Sequence, residues 1–455
     1  MRTLPLLATL AGCPTCGGSL TAATESLSCT ACLQDYPVWG GLPWLFPQAK
    51  AYRADWSQRL RFYVQSIDKD LQTLKIEQKI PDLLPATLER LRALIQGKTE
   101  QLREVEKLLE DLDVPEDPSY ELNALAGTPL PEQLSLLGYY ANVLRDWGWG
   151  EQENQAAFDT VKSLMGEGSL GLMAVLGSGP SRLAYDLHRA YPGTTTLAID
   201  INPFYLQVAA RMLAGKTLYF YDFPMAPRNL KSSAVKVRCK APEAVTSGFH
   251  FLLADVRTPC LKPQSLDTLF TPWLIDVMPE DFRSLASRMN ALIKIGGQWI
   301  NFGSLVFHQP LQSQCYSREE VEAILLEQGF ELLAKEEREI PYLLAAHNCQ
   351  KRYEWIFAFR VRKVREVTPW PQLKDQPTWL EHPEEVIPVW PEMQEQIIFN
   401  HTLAVILAQV NGERSLADIT ELLAPQMGMN SEQTLALLRR VLQRSYATRS
   451  RTKSF

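Results

Sequence analysis

The sequence LMAVLGSGPSR, residues 172–182, decides the fold of this 455-residue chain. Its five leading apolar residues predict a buried strand, the Gly-Ser-Gly segment predicts a tight turn, and the residues that follow predict a helix. Glycines at such a turn let the backbone approach a ligand closely, and the helix N-terminus offers unpaired N–H groups. The pattern therefore predicts a ligand site at the carboxyl end of a strand, with Gly177 and Gly179 beneath the ligand.

Three later apolar runs each lead into an aspartate, and the three are Asp200, Asp255 and Asp276. Strand-like runs that alternate with helical stretches predict βαβ units around a parallel sheet, whose carboxyl ends share one edge. A carboxylate about twenty residues after a glycine turn accepts hydrogen bonds from two ribose hydroxyls. Asp255 is then placed to reach an adenine amino group. Asp276 either faces the substrate or caps the following helix.

The late half of this region separates two cofactor classes that share the features above, nicotinamides and S-adenosylmethionine (SAM). Residues 292–301, LIKIGGQWIN, predict a helix, a Gly-Gly turn and a strand, and residues 330–333 and 353–361 predict an antiparallel hairpin. That arrangement is typical of class I methyltransferases. We therefore predict an α/β, Rossmann-like class I methyltransferase domain over residues 131–365, with SAM as its cofactor.

Four of the eight cysteines lie in two C-x-x-C pairs near the start of the chain, and they are Cys13, Cys16, Cys29 and Cys32. Each pair places two thiolates on one turn, and four thiolates complete the tetrahedral coordination of one Zn²⁺. No coordination position stays open, so the metal is expected to be structural. We predict a zinc ribbon over residues 1–48. This segment resembles the zinc ribbons that activate RNA and protein methyltransferases.

Two further modules are predicted from apolar periodicity and turn residues. Residues 49–130 show apolar residues at three- and four-residue steps in two runs, which predicts a helical hairpin. Residues 366–455 carry a Ser415-x-x-Asp418 helix start and resemble a small winged-helix-like domain. The basic residues after Leu438 are interpreted as a solvated tail.

The composition argues against several partners. A formal net charge of −6 and a pI near 5.7 give no overall cationic field for nucleic acid, so a nucleic-acid partner is not the main expectation and any such role must be local. The longest apolar runs are shorter than the roughly 18–20 residues that cross a bilayer, so no membrane association is expected. The remaining four cysteines are scattered, which favours a reducing, cytoplasmic location.

Over residues 135–365 the chain resembles the carnosine N-methyltransferase family. The motifs that carry this resemblance are NVLRDW at 142–147, the glycine turn, Ile275-Asp276, and WINFGSLVFH at 299–308. The resemblance implies that SAM is contacted by Asn142, Arg145, Gly177, Asp200 and Asp255, and that Asp276, His308 and Tyr353 face the substrate. The chain departs from the family at Asn142 (usually glutamine), Asp200 (glutamate), Ser181 (glycine) and Ser304 (proline).

Each role has a structural alternative. Arg145 could pair with Glu151 or Glu153, His308 could be a buried histidine, and Tyr353 could belong to the core. The main hypothesis is a SAM-dependent N-methyltransferase that acts on an imidazole-like or other nitrogen of a small molecule or peptide. One alternative is a protein, peptide or RNA methyltransferase whose partner is recruited by the ribbon or the C-terminal module. Another is a non-catalytic scaffold with the same fold.

Overall fold

The computed structural model describes residues 3–110, 136–166, 168–309, 311–368, 409, 414–427, 430–435 and 438. Residues 1–372 form one compact unit and residues 373–455 form a second. The helices of the first unit are α1 Thr3–Leu10, α2 Ala49–Glu77, α3 Pro85–Leu109, α4 Leu136–Leu144, α5 Glu151–Leu164, α6 Arg182–Ala190, α7 Pro203–Leu213, α8 Phe282–Leu292 and α9 Arg318–Glu327.

The strands of the first unit are β1 Leu20–Ala22, β2 Ser26–Cys29, β3 Asp35–Trp39, β4 Leu42–Leu45, β5 Leu172–Leu176, β6 Thr195–Asp200, β7 Thr217–Asp222, β8 Val235–Lys240, β9 Phe249–Ala254, β10 Leu266–Pro272, β11 Ile293–Phe302, β12 Phe330–Pro341 and β13 Tyr353–Lys363. Strands β9, β6, β5, β10 and β11 lie side by side and run parallel. Strand β13 then pairs antiparallel with β11, and β12 closes that edge. This is the Rossmann-like class I methyltransferase fold that the sequence predicts.

The cysteine-containing segment is part of the same sheet. Strands β1 to β4 pair antiparallel in chain order, and β4 then lies parallel to β9, with Trp44 opposite Leu253 and Leu45 opposite Ala254. The result is one continuous sheet of eleven strands. Leu27 and Leu45 are fully buried in a core that also contains residues of the central strands.

Helices α2 and α3 form a hairpin within the predicted segment 49–130, of which residues 111–130 lie outside the described residues. The buried residues of α2 recur at three- and four-residue steps, as one apolar face requires, and they include Trp56, Leu60, Tyr63, Ile67 and Leu71. An ion pair of 2.8 Å between Lys98 and Asp70 links the two helices. Helix α3 also packs on the β7–β8 hairpin, because the side-chain Oε1 of Gln101 accepts the Tyr221 N–H at 2.9 Å.

One sequence prediction is met only in part. The sequence predicts a helix, a Gly-Gly turn and a strand over residues 292–301. Helix α8 does end at Leu292 and regular pairing with β10 resumes at Gln298, but β11 already begins at Ile293, so the glycines lie within the strand. The register of β11 with β10 passes from the pair Leu266–Ile293 to the pair Thr268–Gln298, so the intervening residues of β11 form a bulge. Gly296 has a φ of +81°, a conformation that glycine adopts without strain. The two glycines thus shape an irregularity within the strand.

In the second unit, helix α10 spans Leu416–Met427. It begins where the sequence predicts, since Ser415 accepts the Asp418 N–H at 3.2 Å and Asp418 accepts the Ser415 N–H at 2.7 Å. Most of the predicted winged-helix-like module, including the basic tail, lies outside the described residues. Within the described part of the chain, no helix combines the length and apolar character needed to cross a membrane.

Candidate functional site

The glycine turn after β5 leaves open space at the carboxyl edge of the sheet. Gly177 and Gly179 both have positive φ values, +65° and +53°. A Cβ at Gly177 would lie 2.7 Å from Cδ1 of Leu274, so a side chain at this position would have to displace Leu274. A Cβ at Gly179 would meet no atom of the described residues within 4 Å. The turn therefore has one face packed on the protein and one face open for a ligand.

Asp200, at the end of β6, is joined to this turn. Its Oδ2 accepts the Gly179 N–H at 2.8 Å and its Oδ1 accepts the Asn202 N–H at 2.8 Å. Burial raises the pKa of this carboxyl to about 6, although the backbone N–H donors act in the opposite direction. Asp200, the residue predicted to bind the ribose, is therefore a buried carboxylate that also holds the glycine turn in place.

Asp255, which follows β9, is paired with Arg257, a residue that is not among the predicted site residues. The Arg257 Nη2 lies 2.6 Å from Asp255 Oδ2. Tyr52 of α2 lies close by, and burial, with the Asp255 charge, raises the pKa of its phenol to about 12. The Tyr52 hydroxyl is buried and has no hydrogen-bond partner among the residues that the structure describes. Helix α2 thus lies beside the predicted adenine position.

The motif RDW lies in a π-helix, Arg145–Trp149. Its side chains form hydrogen bonds to the glycine turn and to the start of α6. Asp146 Oδ2 accepts the Arg182 N–H at 3.3 Å, and the Trp147 indole donates to the Pro180 carbonyl at 2.8 Å. Short π-helical segments are frequent at functional sites. This one places Arg145 beside the residues that carry the turn.

Arg145 is engaged by two carboxylates in the structure. Its Nη2 lies 2.7 Å from Asp146 Oδ1, and its Nη1 lies 3.4 Å from Glu153 Oε1. The expected alternative partner Glu151 pairs with Arg182 instead, at 3.0 Å. Burial raises the pKa of Glu153 to about 7 despite the nearby Arg145.

Asn142 retains an unused acceptor. Its Nδ2 donates to the Tyr205 hydroxyl at 3.0 Å, but its Oδ1 is buried without a partner among the described residues. A buried polar atom of this kind is costly unless a ligand or water satisfies it. Together with the open face of Gly179, this acceptor fits a polar cofactor.

Asp276 lies in the loop after β10 and is held by two donors. Its Oδ2 accepts the Ser304 hydroxyl at 2.6 Å and the Val306 N–H at 3.0 Å. Burial raises the pKa of Asp276, while the two donors and the nearby His308 act to lower it. Asp276 does not cap the next helix, because Asp281 is the N-cap of α8 and accepts the Arg283 N–H at 2.7 Å.

The other two predicted substrate-facing residues are accessible. His308 is exposed, so it is not a buried structural histidine. Tyr353 begins β13 and is half exposed, so it is not a core residue. His308 lies close enough to Asp276 for its charge to lower the pKa of that carboxyl. Their contact with a substrate stays a prediction.

A loop between β12 and β13, residues 342–349, crosses to the β7–β8 insertion; we call it the strap. The Leu343 N–H donates to Glu153 Oε2 at 2.7 Å. Nε2 of His347 lies 2.8 Å from Asp222 Oδ2, which also accepts the Trp149 indole N–H at 3.1 Å. Neither His347 nor Asp222 is among the site residues that the sequence predicts. Only their opposite ionisable character could have suggested the pair.

The four N-terminal cysteines meet at one point. Their sulfur atoms all lie within 4.8 Å of one another, with Cys13 and Cys32 at 3.6 Å and Cys16 and Cys29 at 3.6 Å. Gly18 lies against them, because a Cβ there would be 3.1 Å from Cys29 Sγ. Four converging thiols are the donor set of a structural Zn²⁺ site. The predicted ligand set therefore fits the metal.

Comparison with known proteins finds no matching family model and no matching curated protein. Among solved structures, the chain is similar to Haemonchus contortus phosphoethanolamine N-methyltransferase 2 in complex with SAM, with 18% identity and a TM-score of 0.32. That match covers 46% of this chain and 44% of the other, so the chain spans less than half the length of that relative.

Two further neighbours have similar scores. One is a chain from the complex between the Haloferax volcanii Trm112 methyltransferase activator and a methyltransferase (12% identity, TM-score 0.35, 50% of this chain and 97% of that one). The other is the N-methyltransferase NodS from Bradyrhizobium japonicum WM9 with S-adenosyl-L-homocysteine (13% identity, TM-score 0.31, 47% and 89%). The strand order described above, rather than these scores, defines the fold.

Proposed function

We propose that the chain is a SAM-dependent N-methyltransferase whose acceptor nitrogen is held by Asp276. The observation that carries this proposal is the position of Asp276, a buried carboxylate fixed by Ser304 and Val306 at the carboxyl edge of the sheet. Leu274, two residues earlier, packs against Gly177 of the glycine turn. This packing supports neighbouring positions for the proposed acceptor and the proposed cofactor.

The chain offers a suitable contact for each part of SAM. Gly179 leaves backbone space open, and Asn142 provides an unused amide oxygen. Asp200 provides ribose acceptors, Asp255 lies at the predicted adenine position, and Arg145 is the predicted partner of the methionine carboxylate. On binding SAM, Arg145 would release Glu153 and pair with the methionine carboxylate instead. When bound, SAM supplies a methyl group already activated by the sulfonium.

The protein's part in the reaction is to position and desolvate the acceptor. With SAM bound, the nitrogen lone pair would form the new N–C bond, and the electron pair of the broken S–C bond would stay with the sulfur of the product. Asp276 accepts an N–H from the acceptor, selects the reactive tautomer of an imidazole, and stabilises the positive charge that develops on it. His308 borders the same carboxylate. The surplus proton leaves to solvent.

The finer assignment, an imidazole-like nitrogen, rests on the resemblance to the carnosine N-methyltransferase family. It is tested by transfer of labelled methyl from SAM to histidine dipeptides, free amines, small peptides and RNA, with SAM binding measured separately. Asp276→Asn should lower kcat by about 100-fold, in the range typical of a lost polar catalytic group, and leave the Kd for SAM unchanged.

Asp281→Asn is the matched control, because asparagine is as good an N-cap as aspartate and only the carboxylate charge is lost. Equal loss of activity in both variants would argue against a specific role for Asp276. SAM binding without transfer to any acceptor would favour the scaffold alternative, and absence of SAM binding would overturn the proposal.

A further inference from the structure

Trp273, the first residue after β10, adopts a strained backbone conformation. Its φ is +50°, in the left-handed region that bulky residues rarely enter. Two neighbours fix it there, because the Trp273 N–H donates to the Phe302 carbonyl at 2.7 Å and a Cβ at Gly303 would lie 3.0 Å from the Trp273 Cα. Strained residues that the surrounding structure holds in this way cluster at ligand sites.

The side chain of Trp273 is held by two aromatic neighbours. The indole centroid lies 5.6 Å from the ring centroid of Phe302 and 5.0 Å from that of Tyr342, the first residue of the strap, and both pairs meet edge-on. Leu343, the next residue of the strap, also has a φ of +50°. Trp273 itself is half-buried. The indole therefore has a fixed orientation, and part of its ring stays accessible.

On one side, Trp273 adjoins residues that serve both reactants of the proposed transfer. The next residue, Leu274, packs against Gly177 of the glycine turn. Asp276, the proposed contact of the acceptor nitrogen, follows three residues after Trp273. Trp273 thus lies where the proposed cofactor and the proposed acceptor approach each other.

On the other side, Trp273 adjoins the predicted contact of the methionine carboxylate. Burial raises the pKa of the Tyr342 phenol, and the nearby Arg145 guanidinium acts to lower it. In SAM the sulfonium joins the methionine part to the ribose, so it belongs between Arg145 and Asp200. The indole of Trp273 is therefore beside the region expected for the sulfonium.

The carboxylates of this region already have partners. Asp146 and Glu153 face Arg145, and Asp276 is held by two hydrogen-bond donors. A sulfonium carries a full positive charge and has no hydrogen-bond donor of its own. The face of an aromatic ring attracts a cation of this kind, and tryptophan is the strongest of the aromatic partners.

We propose that the indole of Trp273 binds the sulfonium of SAM by a cation–π contact and thereby distinguishes SAM from its uncharged product, S-adenosyl-L-homocysteine. This inference rests on the proposed methyltransferase function. Tyr342 holds the indole in place, and its own ring already faces the Arg352 guanidinium, whose Cζ lies 4.7 Å from the ring centroid. Trp273 would favour binding of the methyl donor and release of the product.

The test is calorimetric titration of the full chain with SAM, with S-adenosyl-L-homocysteine and with sinefungin, an analogue that carries an ammonium in place of the sulfonium. Trp273→Leu keeps an apolar side chain and removes the aromatic face. We expect the ratio of the Kd for SAM to the Kd for S-adenosyl-L-homocysteine to rise about fivefold, and the corresponding ratio for sinefungin to rise as well.

Two further variants keep the test decisive. Trp273→Phe retains a weaker aromatic face, so its ratio should lie between those of the wild type and Trp273→Leu, and it serves alone if the leucine variant does not fold. Phe62→Leu is the matched control, because Phe62 is 65% exposed on α2 and its ring should not affect either Kd. A purely structural role for Trp273 would weaken the binding of both ligands equally and leave the ratio unchanged.

The outcomes separate the two proposals. Failure of the wild type to bind either SAM or S-adenosyl-L-homocysteine would overturn the methyltransferase function, and this inference with it. Binding of both ligands with an unchanged ratio in the Trp273 variants would overturn the sulfonium contact alone. A higher KM for the acceptor with an unchanged ratio would assign Trp273 to the acceptor and would also overturn it.

Discussion

The Nε2 of His347 lies 2.8 Å from Oδ2 of Asp222, and this contact joins two segments that are 125 residues apart in the chain. The Arg228 N–H donates to the His347 carbonyl at 3.1 Å, and the Cys349 N–H donates to the Ala226 carbonyl at 2.8 Å. The strap and the β7–β8 insertion are thus held together side by side. The strap also reaches Glu153, the partner of Arg145, so its position is linked to the predicted cofactor site.

Asp222→Ala should loosen the strap. The carboxylate accepts two hydrogen bonds, and bonds to charged groups contribute about 1.5–3 kcal/mol each. Hydrogen–deuterium exchange of the Arg228 and Cys349 amides should therefore accelerate at least about tenfold. His347→Ala should have a similar effect, and the double variant should add less than the sum of the two. Unchanged exchange in both single variants would contradict the linkage.

Two neighbouring glycines should respond differently to the same substitution. Gly179→Ala places a methyl group in open space, at a backbone strain of about 1–2 kcal/mol, and should weaken SAM binding while the protein stays folded. Gly177→Ala has the same backbone strain and also drives its Cβ into Leu274, so it should lower the melting temperature further. Thermal melting and calorimetric SAM titration measure the two effects. Equal melting temperatures would contradict the packing at Gly177.

SAM affinity should fall as the pH is lowered through about 6, because burial raises the pKa of Asp200 to about 6 and only the ionised carboxylate can accept hydrogen bonds from the ribose hydroxyls on both of its oxygens. The Kd should rise at most about tenfold per pH unit below that value. Asp200→Asn should remove this dependence. The ionisation of Asp200 affects the stability of the folded protein in the opposite direction. A carboxyl whose pKa is raised by folding favours the folded state most below its ordinary value of 3.8, and this contribution is lost as the pH rises to about 6.

Metal removal should destabilise the first unit as a whole. Purified protein is expected to contain one Zn²⁺ per chain, and either a chelator or Cys29→Ser should lower the melting temperature by several degrees, because metal coordination is coupled to folding. Cys349→Ser is the control, since Cys349 is exposed and lies apart from the four cysteines. A chelator that leaves the melting curve unchanged would argue against a structural metal.

Local patterns account for what could be predicted from the sequence. The buried strand before Gly177, the amphipathic face of α2 and the two C-x-x-C turns depend on neighbouring residues, so periodicity and spacing reveal them. The Gly296-Gly297 pair was misassigned, because a glycine pair permits a bulge as readily as a turn and only pairing with β10 decides between them.

The candidate site could be predicted less completely. Asp200 ends a strand and Asp276 comes shortly after one. Because the strands are parallel, both residues are expected at the carboxyl edge of the sheet. The pairing of Asp222 with His347 depends on where two long loops meet, which no short sequence window encodes. Likewise, the sequence predicts that Asp255 reaches an adenine amino group, but it does not show that Arg257, two residues later, pairs with this carboxylate.

The parallel pairing of β4 with β9 gives the metal site an importance beyond its own stability. Without the ribbon, β9 would present a row of unpaired backbone N–H and C=O groups at the edge of a large sheet. Such an exposed strand is a template for pairing with another chain. Zinc deficiency would therefore act first on solubility: chains synthesised without the metal would associate through β9 and be lost by aggregation before any step of methyl transfer became limiting.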